Sequence, residues 1–366
     1  MDPLRPDYGG ACITGIIPAI VGDRPMPGMP AVVADASAVV LLLVDGLGWQ
    51  AVEAHRSLLP AIGSLEGGPI TTVAPSTTAS ALTSITTGLA PSQHGLVGFR
   101  MRVDDGVLNV LRWQSSARRN PDPFLVQRHT AFLGRPVPVV TKSDFRHTAF
   151  TDAQLRGGRF IGWSAVSSLV EHCRQLVAEG EKFVHAYYPG VDSVAHQFGL
   201  FSPFYLAELQ AADHLVEAVL DALPASAVLL VTADHGQVHV GDNWVELPEL
   251  EPMIDVQAGD ARFRYLYARK GAAAELAAAA HSTVGHQAWV LTRQQLFDEG
   301  WLGPSPEGSI GRRVGDVILA AREPVGFVDP ALPKERTLLA MHGSLTPDEM
   351  LVPLLAGRGR GDGRAG

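Results

Sequence analysis

The sequence predicts an α/β fold with a mostly parallel central sheet, flanked by helices and carrying inserted cap segments. Segments of strand and helix character alternate along the chain, which is typical of a parallel sheet. Two short runs, 38–44 and 227–231, are continuously apolar and rich in Val and Leu. Such runs indicate strands that are buried on both faces, as in the middle of a parallel sheet.

The first half of the chain reads as a strand followed by helices. The first 37 residues are rich in Gly and Pro, and we expect them to wrap the surface. A strand over 38–44 is followed by a turn and a helix from Trp49. Another helix is predicted from near Thr78, because the apolar residues after it recur at helical spacing.

The second half alternates helices and strands. We predict a helix over 163–178, a strand over 182–187, a helix over 206–223 and a strand over 227–232. The helix over 206–223 places most of its Leu and Val residues on one side, as expected for a helix packed on a core.

These elements predict a single α/β catalytic domain over 1–356 with two insertions. The first insertion, about 100–160, contains several Pro, Arg and Asp residues and looks irregular. The second insertion, about 255–325, contains a predicted small β-α-β-α unit over 262–268, 272–280, 288–291 and 292–299. The Gly- and Arg-rich tail, 357–366, is predicted to be disordered.

Composition excludes several classes of protein. The chain has 366 residues, 46% of them hydrophobic, which is inconsistent with an intrinsically disordered protein. Its formal net charge of −9 argues against a protein that coats nucleic acid, since neutralising phosphates needs a basic face. The two cysteines, Cys12 and Cys173, lack CxxC spacing and cannot form a disulfide scaffold, so we expect inert thiols.

No targeting or membrane-spanning pattern is visible in the sequence. Residues 1–7 show no basic region followed by an apolar run. The apolar runs are far shorter than the roughly 20 residues that span a bilayer. We therefore expect a cytoplasmic protein without a membrane partner. The sequence gives no prediction of oligomeric state.

Residues that could carry chemistry follow the predicted strands or begin helices. Ligands of open α/β sheets bind at the carboxyl ends of the strands, so these positions matter most. The candidates are Asp45, Thr78, Asp192, His196, Asp234, His235 and His342. Each one alone has an ordinary explanation as a turn residue, helix cap, surface pair or structural histidine. Together, three His and three Asp at one sheet edge suit two divalent cations.

The residue types in this set favour metal-assisted chemistry on phosphate. Zinc binds His nitrogen and carboxylate oxygen and keeps an open position in catalytic sites, and paired ions serve phosphoryl transfer. A hydroxyl at a helix N-terminus, as predicted for Thr78, would also meet the positive end of the helix dipole. We therefore expect a small phosphorylated substrate and two divalent ions, with zinc as the first choice and manganese as the alternative.

Five parts of the chain resemble, in order, the motifs of one known family. They are Val44-Asp45-Gly46; Ala-Pro-Ser-Thr-Thr at 74–78 leading to Thr-Gly-Leu-Ala-Pro-Ser-Gln-His-Gly at 87–95; Asp-Ser-Val-Ala-His-Gln-Phe-Gly at 192–199; Thr-Ala-Asp-His-Gly at 232–236; and Met-His-Gly at 341–343. The chain thus resembles the alkaline phosphatase superfamily, and within it the type I phosphodiesterase/nucleotide pyrophosphatase family. This resemblance implies an alkaline-phosphatase-like core.

The resemblance also implies two metal sites. One would use Asp192, His196 and His342, and the other would use Asp45, Asp234 and His235. The hydroxyl of Thr78 would be a further metal ligand and the nucleophile, although the neighbouring Thr77 stays open as an alternative. His94 lies in a family motif but is expected to be structural, and His239 is a candidate for an outer contact of the site.

Two positions depart from the nucleotide-cleaving members that the chain resembles. Those members have an aromatic residue after the nucleophile and an Asn after the His-Gly motif, where this chain has Ala79 and Phe99. These two differences weaken the expectation of a nucleotide substrate, but they do not affect the expected metal chemistry. Phe99, or an arginine such as Arg100 or Arg102, could reshape the substrate pocket.

The sequence as a whole predicts a two-metal hydrolase of phosphodiester or pyrophosphate bonds that acts through a covalent phosphothreonine. A phosphomonoesterase or phosphomutase of the same superfamily is the alternative, and a sulfatase is disfavoured because Thr78 is neither Cys nor Ser. A dehydrogenase is a distant alternative, since residues 46–51 fit the dinucleotide fingerprint G-x-G-x-x-A. A non-catalytic binding protein is disfavoured by the complete ligand set.

Overall fold

The computed structural model describes residues 2–22 and 24–361 of the chain. Its strands, in chain order, are β1 (Ala38–Val44), β2 (Glu66–Thr71), β3 (Arg100–Val103), β4 (Gly106–Asn109), β5 (Gln114–Ser115), β6 (Pro138–Lys142), β7 (Arg159–Trp163), β8 (Phe183–Tyr188), β9 (Ala227–Thr232), β10 (Val238–His239), β11 (Trp244–Val245), β12 (Ile254–Gly259), β13 (Phe263–Ala268), β14 (Ala288–Thr292), β15 (Val317–Ala321), β16 (Gly326–Phe327), β17 (Ala340–Met341) and β18 (Leu351–Arg358).

The α-helices lie between these strands. In chain order they are α1 (Ile16–Val21), α2 (Trp49–Ala54), α3 (Pro60–Gly63), α4 (Thr78–Thr87), α5 (Pro91–His94), α6 (Pro123–Val126), α7 (Ala149–Gln154), α8 (Val166–Ala178), α9 (Gly190–Phe198), α10 (Pro203–Ala222), α11 (Ala273–Val284), α12 (Arg293–Asp298) and α13 (Pro347–Met350).

A central sheet in the order β2-β18-β9-β1-β8-β6-β7 forms the middle of the fold. Strands β9, β1, β8, β6 and β7 run parallel, and β18 runs antiparallel to both β9 and β2. Every residue of β1 and β9 is buried, as their continuous apolar sequences predict. The predicted α/β class, with a mostly parallel sheet between helices, is therefore confirmed.

Most of the predicted elements are found close to their predicted bounds. The strands predicted over 38–44 and 227–232 and the helix from Thr78 match the structure, and the strand predicted over 182–187 is shifted by one residue. The long helix α10 starts at Pro203 because the hydroxyl of Ser202 caps it by accepting from the backbone amide of Tyr205. The helix predicted from 163 starts at Val166, since Trp163 still belongs to β7.

The expectation that residues 1–37 wrap the surface is wrong for part of this segment. Ile13, Ile16 and Ile17 are fully buried in the main core. These residues and helix α1 lie against α4, the helix that begins with Thr78. The abundance of Gly and Pro in this segment concealed a short apolar helix.

The interpretation of 100–160 as one irregular insertion is also wrong in its second half. Residues 138–142 and 159–163 form β6 and β7, which extend the central sheet beyond β8. The apolar part of β6 is brief and is flanked by proline, so its strand signal was weak. Only β3, β4 and β5 form a separate three-stranded sheet in this region.

The second insertion forms a four-stranded antiparallel sheet in the order β12-β13-β15-β14, with α11 and α12. The predicted strands and helices over 262–299 are present, whereas β12 and β15 were missed. This unit has its own apolar cluster, in which Leu266, Leu276 and Leu319 are fully buried. We call it the inserted sheet unit.

The tail predicted from 357 does not start at that residue. Residues 357 and 358 complete β18, and Gly361 forms a bridge with Pro224. The prediction of disorder is therefore wrong for 357–361, and residues 362–366 lie outside the described part of the chain.

No α-helix within the described ranges combines the length and apolar character needed to cross a lipid bilayer. The cytoplasmic location expected from the sequence stays a prediction.

Candidate active site

The carboxyl ends of β1, β8 and β9 bring three separate chain segments together. The amide of Asp45, just after β1, donates to the carbonyl of Tyr188 at 2.9 Å, and the amide of Asp192 donates to the carbonyl of Asp45 at 3.1 Å. The amide of Gly46 donates to Oδ1 of Asp234 at 3.2 Å. These bonds fix the turns after the three strands to one another, at the sheet edge where ligands of such folds bind.

One group of candidate ligands consists of Asp192, His196 and His342, and we call it the Asp192 group. Asp192 and His196 lie one turn apart on α9, with 3.3 Å between Oδ1 and Nε2. Nε2 of His342 lies 3.8 Å from the same carboxylate oxygen. Nδ1 of His196 donates to the carbonyl of Ala340 at 2.6 Å, which leaves its Nε2 lone pair directed to the group.

A second group consists of Asp45, Asp234 and His235, all buried, and we call it the Asp45 group. Nε2 of His235 lies 3.5 Å from Oδ1 of Asp45 and 3.4 Å from Oδ2 of Asp234. Nδ1 of His235 donates to the carbonyl of Gly236 at 3.0 Å, so Nε2 is again the free acceptor. The phenol of Tyr187 donates to Oδ2 of Asp45 and orients that carboxylate.

The Asp45 group has the donor set that a divalent cation needs. Oδ1 of Asp45 and Oδ2 of Asp234 are buried and have no hydrogen-bond partner among the described residues. Leaving such oxygens without a partner in the interior is costly. Both oxygens face the Nε2 lone pair of His235, and two carboxylates with one imidazole fit zinc or manganese. The residues present therefore fit a metal ion.

The two groups are neighbours. The imidazole rings of His235 and His342 are stacked with 3.6 Å between their centroids and 12° between their planes. Nδ1 of His342 donates to the carbonyl of Ser76, at 2.9 Å, so this ring is also fixed with Nε2 available. Two ions bound at the two groups would lie side by side, as in two-metal phosphoryl-transfer sites.

Burial opposes ionisation of the site's carboxyl groups and protonation of His235 and His342. Burial raises the pKa of Asp45 well above its ordinary value, and the nearby charges of Asp234 and Asp192 raise it further. Burial likewise raises the pKa of Asp234 and lowers the pKa values of His235 and His342. A cation would reverse this balance for the carboxylates, because it favours the ionised form of its ligands.

Thr78 places a hydroxyl directly against the Asp45 group. It is the first residue of α4, and its Oγ1 lies 3.1 Å from Nε2 of His235. Because Nδ1 of His235 is the donor to Gly236, Nε2 accepts and the hydroxyl of Thr78 donates. Gly88, with φ of 71°, ends this helix in the left-handed conformation that favours glycine.

The structure separates the two neighbouring threonines that the sequence left open. The hydroxyl of Thr77 donates to Oδ1 of Asp260 at 2.7 Å, whereas the hydroxyl of Thr78 faces His235. Asp260 is buried and comes from the inserted sheet unit, in the turn after β12. Only Thr78 therefore has its hydroxyl at the candidate metal ligands.

The other histidines singled out in the sequence lie outside the two groups. Nδ1 of His94 accepts from the amide of Leu96 at 3.1 Å, and its Nε2 donates to the hydroxyl of Ser84 at 2.9 Å. Burial lowers the pKa of His94 to about 3, so the ring is neutral. These contacts suit the structural role expected for it. The ring of His239 packs against Phe201, with 4.9 Å between the centroids.

Phe99 lies beside the candidate nucleophile, in the wall of a cavity of about 680 Å³ that we call the large cavity. Thr78 and His342 also line it. The two arginines considered with Phe99 are engaged elsewhere, since Arg100 forms a buried ion pair with Asp329 and Arg102 pairs with Asp255 at 2.7 Å. Of the three candidates for reshaping the pocket, Phe99 is the one that lines this cavity.

A second cavity, of about 280 Å³, reaches Thr78 from the side of β8 and α7, and we call it the small cavity. Its wall is mainly apolar and includes Phe145 and Phe150. His185 also lines it, with Nδ1 buried and without a hydrogen-bond partner among the described residues. Thr78 and Asp192 line both cavities, so the two cavities meet at the candidate site.

Sequence reasoning missed several residues at this site. Tyr187 and Asp260 belong to no recognised motif, and neither do Arg112 and Lys334, which line the large cavity. The position of Tyr187, the last residue of the strand predicted over 182–187, was the only available signal. Asp260, Arg112 and Lys334 reach the site through long-range packing that no local pattern indicates.

The packing around Gly46 and Gly48 bears on the alternative interpretation as a dinucleotide-binding dehydrogenase. A Cβ added at Gly46 would lie 2.6 Å from Nε2 of Gln237 and 2.9 Å from Cβ of Asp192. A Cβ added at Gly48 would lie 2.7 Å from Cα of Gly236. These glycines therefore allow close packing of the site's own segments, which lie where the fingerprint would place a pyrophosphate. The dehydrogenase interpretation is wrong.

Comparisons with known proteins agree with the motifs. A family model described as type I phosphodiesterase / nucleotide pyrophosphatase matches residues 39–345. No curated protein matches significantly by sequence. Among solved structures, murine ectonucleotide pyrophosphatase / phosphodiesterase 5 shares 15% identity over 88% of each chain, with a TM-score of 0.67. An inactive variant of that mouse protein, in complex with AMP, gives a TM-score of 0.66 at 15% identity, over 89% of this chain and 88% of that one.

A bacterial structure with the same fold comes from another kind of hydrolase. Phosphonoacetate hydrolase from Sinorhizobium meliloti 1021, in complex with phosphonoformate, shares 17% identity over 88% of this chain and 91% of its own, with a TM-score of 0.64. At these identities the likeness establishes the fold. It confirms the alkaline-phosphatase-like core that the motif order implied.

Proposed function

Because the chain belongs to the type I phosphodiesterase / nucleotide pyrophosphatase family and is thus a phosphoric ester hydrolase, we propose that it cleaves phosphodiester or pyrophosphate bonds of a small molecule with two bound divalent ions. The Asp192 group would hold one ion and the Asp45 group the other. Thr78 would be the nucleophile. Zinc is the ion best suited to the three His and three Asp ligands, and manganese is the alternative.

One observation carries this proposal. The Thr78 hydroxyl, at the N-terminus of a ten-residue helix, lies 3.1 Å from a candidate metal ligand whose group contains two unpartnered buried carboxylate oxygens. A structural threonine cap would not need such a setting. The arrangement suits a hydroxyl that must lose its proton and attack an electrophile.

The proposed reaction has two steps, and Thr78 is the attacking group in the first. Its Oγ1 forms a bond to phosphorus while the bond from phosphorus to the leaving oxygen breaks, which gives a phosphothreonine and the released alcohol or phosphate. Water then attacks phosphorus while the bond to Oγ1 breaks. A proton from that water restores the threonine hydroxyl, and the phosphate monoester of the remaining substituent is released. Bound divalent ions would lower the pKa values of hydroxyl and water and neutralise phosphoryl oxygens.

The chain's own residues hold this geometry in place. Thr78 lies at the start of α4, where the free backbone amides of a helix N-terminus would favour a negatively charged phosphoryl group. Hydrogen bonds from Nδ1 of His196, His235 and His342 to backbone carbonyls keep each Nε2 directed to its group. Asp260 holds the hydroxyl of Thr77 away from the reacting atoms.

The two cavities support a diester or pyrophosphate in preference to a monoester. A phosphoryl group at Thr78 would have space for one substituent in the large cavity and another in the small cavity. A monoester would fill only one of them. A monoesterase or phosphomutase is the alternative, and no contact among the described residues favours it over the diesterase.

The test compares bis(4-nitrophenyl) phosphate with 4-nitrophenyl phosphate, each with metal-loaded and chelator-treated protein. We expect faster turnover of the diester and loss of turnover with chelator. Elemental analysis of the loaded protein should give two ions per chain. Preference for the monoester would overturn the diesterase assignment, and full activity after removal of all metal would overturn the two-metal assignment.

A further inference from the structure

The charges around the large cavity define the substrate more narrowly. We propose that Arg112 and Lys334 determine specificity by binding a second oxyanion, a carboxylate or phosphate, on the substituent that occupies the large cavity. This inference rests on the proposed function, and it adds a chemical class to the substrate: a phosphate ester or anhydride that carries a further negative charge beyond the reacting phosphoryl group.

The acidic residues of the large cavity are already engaged. Asp192 belongs to a candidate metal group, and Asp260 accepts from the hydroxyl of Thr77 and from the amide of Phe99, at 2.7 and 3.3 Å. Glu335 forms an ion pair with Arg264 at 2.9 Å. None of these carboxylates forms an ion pair with Arg112 or Lys334 in the described part of the chain.

The two basic residues, by contrast, are free to bind a ligand. Within residues 2–22 and 24–361, the side chains of Arg112 and Lys334 form no hydrogen bond and no ion pair. Both line the same cavity as Thr78. Other arginines near this region, such as Arg100 and Arg264, are taken up by buried carboxylates. Unused positive charge therefore faces the space beside the nucleophile.

Both basic residues stand on anchored backbone. Beside Arg112, the buried Trp113 donates from its indole to the carbonyl of Pro121 at 2.8 Å, and the amide of Arg112 donates to Oδ1 of Asn109 at 3.0 Å. Beside Lys334, the ion pair of Glu335 with Arg264 fixes the short helical turn Pro333–Thr337. The fixed backbone therefore positions both of these exposed side chains at the wall of the large cavity.

The unpaired basic side chains line the large cavity and not the small cavity. Its lining contains no Lys or Arg, and its polar groups other than Asp45 and Asp192 are neutral. The uncharged His185 is one of them, because burial lowers its pKa to about 4. The site would thus place a neutral substituent on one side of phosphorus and an anionic one on the other. A guanidinium fork binds carboxylate or phosphate through two hydrogen bonds, and an ammonium adds a point charge.

The test uses a matched set of aryl 4-nitrophenyl phosphodiesters. One has a carboxylate on the second ring, the next has the methyl ester of that carboxylate, and the third has a phosphonate. Release of either phenol is followed by chromatography, which makes the result independent of which group leaves. We compare kcat/KM for wild type, Arg112→Met, Lys334→Met, and the control Arg118→Met. Arg118 is exposed, lies outside the cavity and has no side-chain partner within the described residues.

We expect wild type to prefer the carboxylate over its methyl ester by about tenfold, with about threefold lost in each single variant. Rates on the methyl ester should fall by a smaller factor than rates on the carboxylate in both variants, and Arg118→Met should match wild type on every substrate. A larger preference for the phosphonate would assign the anion as phosphate-like. Equal wild-type rates on charged and neutral substrates, or equal loss on both in the variants, would overturn the inference. If Thr78→Ala hydrolyses the methyl ester as fast as wild type, the proposed function itself fails.

Discussion

The hydroxyl of Thr78 donates to Nε2 of His235 across 3.1 Å, in a site where that ring is held by a second bond to the carbonyl of Gly236. The same Nε2 faces two buried carboxylate oxygens that have no hydrogen-bond partner in the described chain. The hydroxyl thus takes the lone pair that a cation bound to the Asp45 group would use. Under the proposed function, metal binding would free the Thr78 hydroxyl from His235.

Replacing Thr78 should separate chemistry from metal binding. We expect Thr78→Ala to lose turnover of bis(4-nitrophenyl) phosphate by about 10³-fold or more, because no other hydroxyl among the described residues hydrogen-bonds to His235. Thr78→Ser should retain a measurable part of the rate. Metal content, measured by elemental analysis, should stay the same in both. Similar turnover in Thr78→Ala and wild type would exclude Thr78 as the nucleophile.

Replacing Asp234 should have opposite effects on the metal-free and the metal-loaded protein. Burial raises the pKa of Asp234, so an ionised carboxylate there destabilises the metal-free fold near pH 8. We expect Asp234→Asn, after chelator treatment, to raise the free energy of unfolding by about 1 kcal/mol or more. With metal present, the variant should bind fewer ions and unfold more easily than wild type.

The control for this measurement is Asp242→Asn, which neutralises an exposed acid that follows β10. It should change stability by less than about 0.5 kcal/mol in either condition. A destabilised Asp234→Asn in the presence of chelator would show that the carboxylate is part of a structural hydrogen-bond network and that the metal interpretation of this group is wrong.

The parts of the site that the sequence predicts are those fixed by local structure. Asp45 follows a fully apolar strand, Asp192 and His196 share a helix face, and Thr78 begins a helix with regular apolar spacing. Each of these positions follows from periodicity and from the rule that ligands bind at the carboxyl ends of parallel strands. Nothing local, however, indicates that the two groups stack through His235 and His342.

The parts that the sequence does not predict depend on packing between distant segments. Asp260 reaches Thr77 from a turn of the inserted sheet unit, and Arg112 and Lys334 reach one cavity from opposite halves of the chain. The edge strand β6 was missed because its apolar run is brief and flanked by proline. The Gly- and Pro-rich composition of the N-terminal segment predicted a position on the surface. Ile13 and Ile16 are nevertheless buried, because they pack against the main core.

His94 should make stability depend on pH below neutrality. Burial lowers its pKa to about 3, while the unfolded chain has the ordinary value near 6.5. Between these two pH values the unfolded state therefore binds more protons than the folded state. The contribution of His94 to the free energy of unfolding is complete above pH 6.5 and is lost as pH falls. At pH 5 the loss from His94 is about 2 kcal/mol.

Chemical denaturation of wild type and His94→Gln between pH 5 and 7.5 measures this effect. The variant should be less stable than wild type at pH 7.5, since it loses the hydrogen bonds of His94 to Ser84 and Leu96. At pH 5 the difference in free energy of unfolding between the two proteins should be smaller by about 2 kcal/mol. His214→Gln, at an exposed position, is the matched control and should follow wild type. A difference that is constant across this range would contradict the buried neutral state of His94.

The ion pair between Arg262 and Glu349 joins the inserted sheet unit to the core beside the site, and its removal should be strongly non-additive. Both side chains are fully buried, with bonds of 2.8 and 2.9 Å between them. Glu349 also accepts from the amide of Ser344 and the hydroxyl of Thr346.

We expect Arg262→Met to lower the free energy of unfolding by about 3–5 kcal/mol, because it leaves the buried Glu349 carboxylate without its cation. Arg262→Met with Glu349→Met should recover much of that loss in a urea denaturation double-mutant cycle. Strictly additive costs would mean that the pair does not act as a unit, and that the inserted sheet unit is held to the core by its apolar contacts instead.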